Sequence, residues 1–428
     1  MKTRIINAIV VTLDEENSVY KNGEVAIVDN EIVYVGPMRD DDINCDKVID
    51  ANGNIIMPGF VNTHSHMAMS LFRGLGENSN FNNWWFDFMR PKEVLLEEGD
   101  CYNGAMLSIA EMLRNGITTV ADFYMHNEET SQAVADTGIR GNIGIGAITG
   151  SEILDENYLM QEKEKVTSYS PLIKPILYAH SVYSCDESQF GELARFAKKY
   201  NLVVSTHASE TLKEVGECTM KHNMTPIELL ESIGFLDVPC VLAHCVHCDK
   251  DDVEVLKKYD VTIATNPSSN LVLGSGIAPL YSYIKNGINV SIGTDGPASN
   301  NALDMFKEMF LADNLQAGVL NQAYILTVVD AIKMATVRGA MALGYDNLGQ
   351  LKTGYLADII MIDASAPNMQ PIHNVFNNIV NSANSSNVLM TMVDGKVLYD
   401  NGKYNISKTL DEIKDGVYHS IKRIFSEE

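Results

Sequence analysis

Histidine and aspartate at the ends of apolar runs are the residues of this chain best suited to chemistry. His64 and His66 stand two positions apart in VNTHSH. In an extended segment, positions i and i+2 face the same side, so two imidazoles can hold one cation. His207 ends the β-branched run LVVST, and Asp295 ends NVSIGTDGP. A carboxylate after a buried run needs a reason to be there, and metal ligation supplies one. Three neutral nitrogens and one carboxylate suit zinc, and less selectively ferrous iron. The imidazoles bring no negative charge. One divalent cation held by His64, His66, His207 and Asp295 therefore keeps positive charge and lowers the pKa of a bound water to about 7. Asp295 can also accept a proton from that water.

Other residues fit around such a centre. Glu210 lies three positions past His207 in HASET, close to the site but off the strand face. Its natural role is to move a proton between water and substrate. His244, in LAHCVH, is either a further ligand or the group that orients the water, and the second role is preferred. His247 reads as supporting or structural. His180, in YAHSVYS, shares the strand-end position and can contact substrate, while His126 has a loop role or a functional one. His222, His373 and His419 join no constellation. No lysine ends the fourth candidate strand, since Lys174 begins it. One metal is therefore expected rather than two bridged by a modified lysine.

A barrel would bring these residues together. The middle of the chain alternates strand-like and helix-like segments. Eight candidate strands are FVNTH (60–64), TTVADF (118–123), RGNIGIGAI (140–148), KPILYAH (174–180), LVVSTHA (202–208), CVLAHC (240–245), VTIATNP (261–267) and NVSIGTD (289–295). Eight such strands with intervening helices imply an α/β fold of the (β/α)8 TIM-barrel type, whose C-terminal strand ends ring one mouth. Both termini instead alternate short strands and turns, as in GEVAIVDNEIVYVG and NVLMTMVDGKVLYDNGKY. They are expected to form one small β-sandwich domain from residues 1–56 and 354–405. The catalytic barrel would span 57–353, and a C-terminal helix 406–428.

Bulk properties narrow the class. The chain has 428 residues and a formal net charge of -24, so nucleic acid and anionic membranes are unsuitable partners. No run reaches the ~18 apolar residues of a membrane span, and the start lacks a signal-type apolar run. Seven cysteines, an odd number, read as free thiols in a reducing cytoplasm. Cys245 and Cys248 are read as structural thiols rather than metal or redox groups. The aromatics of NFNNWWFDFMRPKE suit either a lid over an apolar substrate or packing against the small domain or a subunit. LADNLQAGVLNQAY is available for an interface, and a homo-oligomer is compatible with the sequence.

Taken together, PGFVNTHSH, HASET, LAHCVH, NPSSNLVLGSGIAP and IGTDGPASNN resemble the amidohydrolase superfamily. Within it the chain is most similar to the 5-methylthioadenosine/S-adenosylhomocysteine deaminase branch, beside the chlorohydrolases and guanine deaminase. The resemblance covers essentially the whole chain. It implies His64, His66, His207 and Asp295 as ligands, usually of zinc. It implies Glu210 as proton shuttle, His244 as the group polarising the water, and Asp295 as second base. Glu93, in MRPKEVLL, matches the glutamate that binds both ribose hydroxyls, and His180 the histidine lying over the nucleoside. The implied reaction is hydrolytic deamination at C6 of an adenine nucleoside: 5'-methylthioadenosine, 5'-deoxyadenosine, adenosine or S-adenosylhomocysteine.

One departure from that pattern bears on substrate choice. Relatives that accept S-adenosylhomocysteine can hold its carboxylate with arginines after the third strand. Here the stretch GNIGIGAITGSEILDENY has no arginine and carries Glu152, Asp155 and Glu156. Arg140 begins the strand, at the wrong end. A neutral 5' tail is expected to fit better. The rival readings are a hydrolase of guanine or a chlorinated triazine, which have no ribose for Glu93 to grip, and a non-enzymatic metal-binding module.

Overall fold

The computed structural model describes residues 1–39, 45–76 and 84–426. The chain opens with β1 (Lys2–Val11), β2 (Val19–Val28), β3 (Glu31–Pro37), β4 (Lys47–Asp50) and β5 (Ile55–Pro58). Eight barrel strands follow: β6 (Phe60–Ser65), β7 (Ile117–Asp122), β8 (Arg140–Ala147), β9 (Ile173–Ser181), β10 (Val204–Ala208), β11 (Cys240–His244), β12 (Val261–Thr265) and β13 (Asn289–Ile292). The chain returns through β14 (Ile359–Ile362), β15 (Val388–Val393), β16 (Lys396–Asp400) and β17 (Lys403–Tyr404), and helix Leu410–Ile424 follows.

Strands β6 to β13 pair in sequence order, all parallel, as a barrel sheet should. Most of their residues are buried, which explains their nearly continuous apolar and β-branched character. Side chains seal the seam between the first and last strands. Thr63 Oγ1 donates to the carbonyl of Ile292 at 3.0 Å, and Asn62 Nδ2 to Thr294 Oγ1 at 2.7 Å. A Cβ on Gly293 would lie 2.7 Å from His64 Cβ, so only glycine lets β13 pass this close to the metal-type histidine.

All eight expected barrel strands are present, with ends that differ from the expected ones by at most three residues. Strand β10 begins at Val204 rather than 202. Strand β13 stops at Ile292, because Gly293, Thr294 and Asp295 leave the ladder, with Asp295 in the left-handed region at φ 60°. The terminal strands form one mostly antiparallel nine-stranded sheet in which β14 pairs with β5, and β5 with β1, so both ends of the chain build it. Its own apolar cluster includes Ile5, Val25, Ile56, Ile359 and Met392.

A buried ion cluster fastens this sheet to the bottom of the barrel. Arg140, at the start of β8, donates to both Asp358 oxygens at 2.9 and 3.0 Å and to Asp394 at 3.2 Å. Lys174 also stays at that end, with Nζ 2.9 Å from the carbonyl of Gly344. Neither cation reaches the mouth of the barrel. No helix among the described residues is long and apolar enough to cross a membrane. Replacing Arg140 with methionine would strand the Asp358 carboxylate, only 3% exposed. The expected cost is about 3–5 kcal/mol. It should appear as a lower melting temperature, with catalysis by the folded protein unchanged.

Candidate active site

The C-terminal strand ends converge as the barrel requires. His64 lies at the end of β6, His207 on β10, His244 on β11, and Asp295 just past β13. One donor atom from each of these four falls within 4.8 Å of the others. His66 joins them from the turn after β6. Its Nε2 is 3.2 Å from Asp295 Oδ1 and 3.4 Å from His207 Nε2. The backbone is forced at these strand ends. Ser209, His244, Cys245 and Asp295 all have positive φ, between 44° and 72°. Such conformations cost about 1–3 kcal/mol each and persist where their surroundings fix them. Here Asp295 N donates to the His64 carbonyl and Cys245 N to the Ala208 carbonyl.

Three of the imidazoles are aimed by a bond on the far side. His66 Nδ1 donates to the Phe123 carbonyl at 2.5 Å, and His207 Nδ1 to the His180 carbonyl at 2.7 Å. His244 Nδ1 donates to Asn270 Oδ1 at 2.8 Å. In each case Nε2 is left facing the centre, which is how metal-binding histidines are usually oriented. The Asp295 carboxylate is held from behind. Ser269 and Ser299 hydroxyls donate to its Oδ2 at 2.6 and 2.9 Å, while Oδ1 faces the histidines.

Electrostatics favour a cation here. Burial pulls His64 down to about 4 and His207 well below its usual range, so both imidazoles are neutral lone-pair donors at neutral pH. Burial would raise Asp295, but the His64 and His66 imidazoles beside it, 3.6 and 3.2 Å from Oδ1, hold it well below the usual carboxylate range. Burial also lowers His66, and Asp295 more than offsets this, so positive charge is welcome between them. His64 is fully buried, and among the described residues neither of its ring nitrogens has a hydrogen-bond partner. A bare buried imidazole is costly, and a coordinated divalent cation would satisfy it. The donor set fits such an ion.

Glu210 sits beside this cluster. Its Oε2 is 3.9 Å from His244 Nε2, and Ser275 donates to Oε1 at 3.2 Å. Burial raises its carboxyl above the ordinary value, so it can carry a proton closer to neutral pH. Its backbone is pinned by Glu214, whose two oxygens take the amides of Ser209 and Glu210 at 3.0 and 2.7 Å. His247 stands behind, donating to the carbonyl of Ser275.

Two adjoining cavities meet at this point, with His66, Met69, Trp85 and His180 in the walls of both. One also reaches Glu210, His244 and Asp295. The other reaches Glu93, Tyr124, Met125 and Ile148. Burial raises the Glu93 carboxyl, and the Tyr124 hydroxyl, which donates to it at 2.5 Å, acts against that. Trp85 stacks on His180 with ring centroids 5.8 Å apart. Trp84 lines the cavity that reaches Glu210 and is also packed in a cluster with Phe72, Val417 and Ile424, so the aromatic run serves both wall and packing. Residues 80–83 of that run lie outside the described residues. His126 is elsewhere, on a surface groove with Glu98 and Glu129. All seven cysteines are free.

Sequence reading missed the groups that aim Asp295, His244 and Glu210: Ser269, Ser299, Asn270, Ser275 and Glu214. Their only signal was membership of NPSSNLVLGSGIAP, TDGPASNN and the segment after HASET.

The profile of the amidohydrolase family matches residues 55–398, and the chain belongs to that family. It is therefore a hydrolytic enzyme, and its His/Asp cluster can hold a divalent metal ion. Over 434 residues it is 37% identical to a 5-methylthioadenosine/S-adenosylhomocysteine deaminase of Caldicellulosiruptor saccharolyticus, covering 100% of this chain and 99% of that one. It is 40% identical to a 5'-deoxyadenosine deaminase of Methanosphaera stadtmanae, covering 92% and 94%. Among solved structures it is similar to an adenosine deaminase from Xanthomonas campestris with bound zinc, at a TM-score of 0.93 and 27% identity, covering 99% and 98%.

If a cation satisfies His64, adding zinc to metal-free protein should raise the melting temperature, by about 4 kcal/mol of stability at a thousandfold excess over Kd. Asp295→Ala should largely abolish that shift.

Proposed function

We propose that this enzyme removes the C6 amino group of an adenine nucleoside by hydrolysis, giving the inosine analogue and ammonia, with one zinc ion at His64, His66, His207 and Asp295. The observation that carries this reading is the joined pair of cavities. A base can face the histidine cluster while the ribose diol reaches Glu93, with Trp85 and His180 alongside. The names of the relatives support the same class: 5-methylthioadenosine/S-adenosylhomocysteine and 5'-deoxyadenosine deaminases.

When bound, the metal supplies a water acidified enough to serve as nucleophile near neutral pH. The chain's own groups do the rest. Asp295 accepts a proton from the attacking water. His244 orients that water, its Nε2 lying opposite Glu210. Glu210 delivers a proton to the ring nitrogen beside C6, which makes C6 electrophilic, and then relays one to the departing amine. Glu93 accepts hydrogen bonds from the ribose hydroxyls. The oxygen of water ends on C6 and nitrogen leaves as ammonia.

The 5' substituent is read as small and neutral. Met125 and Ile148 lie in the wall of the Glu93 cavity, and no lysine or arginine lines that wall among the described residues. Glu152, from the loop after β8, keeps its carboxylate on the amide and hydroxyl of Thr149. Methylthioadenosine, deoxyadenosine and adenosine then outrank S-adenosylhomocysteine. Assays of ammonia release should show kcat/KM for S-adenosylhomocysteine at least about tenfold below that for methylthioadenosine, one charge-assisted contact's worth. Glu93→Ala should lower nucleoside kcat/KM by about 100-fold or more. Activity on guanine with indifference to Glu93 would select the rival heterocycle reading.

A further inference from the structure

Glu308 is a fully buried carboxylate that lines neither cavity. It projects from the first turn of helix Met305–Leu320 and bonds to two different barrel loops. Its Oε2 takes the backbone amide of Ser268 at 2.9 Å, and its Oε1 takes Asn300 Nδ2, also at 2.9 Å. Asn300 Nδ2 is shared with the carbonyl of Thr294 at 2.7 Å.

The two loops are those that aim the reactive groups. The loop after β12 carries Ser269, which donates to Asp295, and Asn270, which accepts from His244. The loop after β13 carries Asp295 itself and Ser299, its second donor. Asp295 and His244 must hold their places relative to each other, yet they sit on different strands. Ser269 and Asn270, which support one each, follow a third, β12. A single carboxylate with two acceptor oxygens bonded to both loops fixes that relative placement. Burial pushes its carboxyl up to about 7, and the Ser268 and Asn300 donors and Lys307 act against this. A site needing only packing would be filled by an apolar side chain, because a buried carboxylate is costly to desolvate.

We infer that Glu308 is a positioning residue for the reaction, the tie that sets Asp295 and His244 in register through the 268–270 and 294–300 loops. This rests on the reading of Asp295 as a ligand and His244 as the group orienting the water. In Glu308→Ala both loops lose their common anchor. At saturating zinc, kcat on methylthioadenosine should fall about 10- to 100-fold while KM stays within about twofold, and a chelator should strip zinc about tenfold faster. Asn300→Ala cuts only the Asp295 arm. It should speed zinc loss with a smaller fall in kcat, and it keeps the test informative where Glu308→Ala fails to fold. Glu308→Gln retains an acceptor for Ser268 and should recover part of the lost rate. Wild-type kcat and zinc retention in Glu308→Ala and Asn300→Ala, with only a lower melting temperature, would overturn the inference. Wild-type protein that neither holds zinc nor releases ammonia would instead overturn the reading on which it rests.

Discussion

Asp295 is a carboxylate taken out of water, 6% exposed, at the rim of a parallel barrel. An isolated buried carboxylate would shift its pKa upward and go neutral. This one stays anionic because Ser269 and Ser299 donate to one oxygen while His64 and His66 face the other. That arrangement can exist only if β13 lies directly against β6, which is what the seam through Asn62, Thr63 and Gly293 achieves. Closing the barrel and charging the site are thus one constraint. His64 and His207, kept neutral by burial, then offer lone pairs beside a fixed negative charge, the condition a divalent cation needs.

Around that point the site divides its labour by strand. His66, just past β6, and His207 on β10 are locked by backbone carbonyls, so their direction is as rigid as the barrel itself. The proton carrier, Glu210, sits one step further out on a backbone held by Glu214. Recognition comes in large part from short helices after β6 instead. Trp85 and Glu93 belong to the stretch after β6, which the C-terminal helix braces through Val417 and Ile424, and through Arg423 bonded to Asp100 and the Leu95 carbonyl. Rigid strands hold the reacting groups, and loops packed on the barrel's rim shape what enters.

The barrel was legible because its strands are buried on both faces. FVNTH and CVLAH are short, mostly apolar or β-branched runs that end in histidine, and a run of that kind announces both strand and site. Glu210 was legible from its distance to His207. Glu93 was not readable from the residues around it and came only from the family resemblance. Hydrogen-bond partners far apart in sequence were silent. Nothing in ALDMFKEMF marks Glu308 as bonded to Ser268, forty positions earlier. The exchange of β13's last residues for a left-handed turn at Asp295 was equally hidden, because TDGP reads as a turn without saying which way its carboxylate points. Periodicity reports which face is buried, whereas polar aim depends on contacts between loops.

The most direct measurement is ammonia release from methylthioadenosine by zinc-loaded wild type and Glu210→Gln, with metal content determined on the same samples. Glutamine keeps the size and loses the proton. Both proteins should hold one zinc per chain, the wild type should convert the adenine ring fully, and the variant should be slower by about 100- to 10,000-fold. A variant that holds zinc and turns over at close to the wild-type rate would contradict the account.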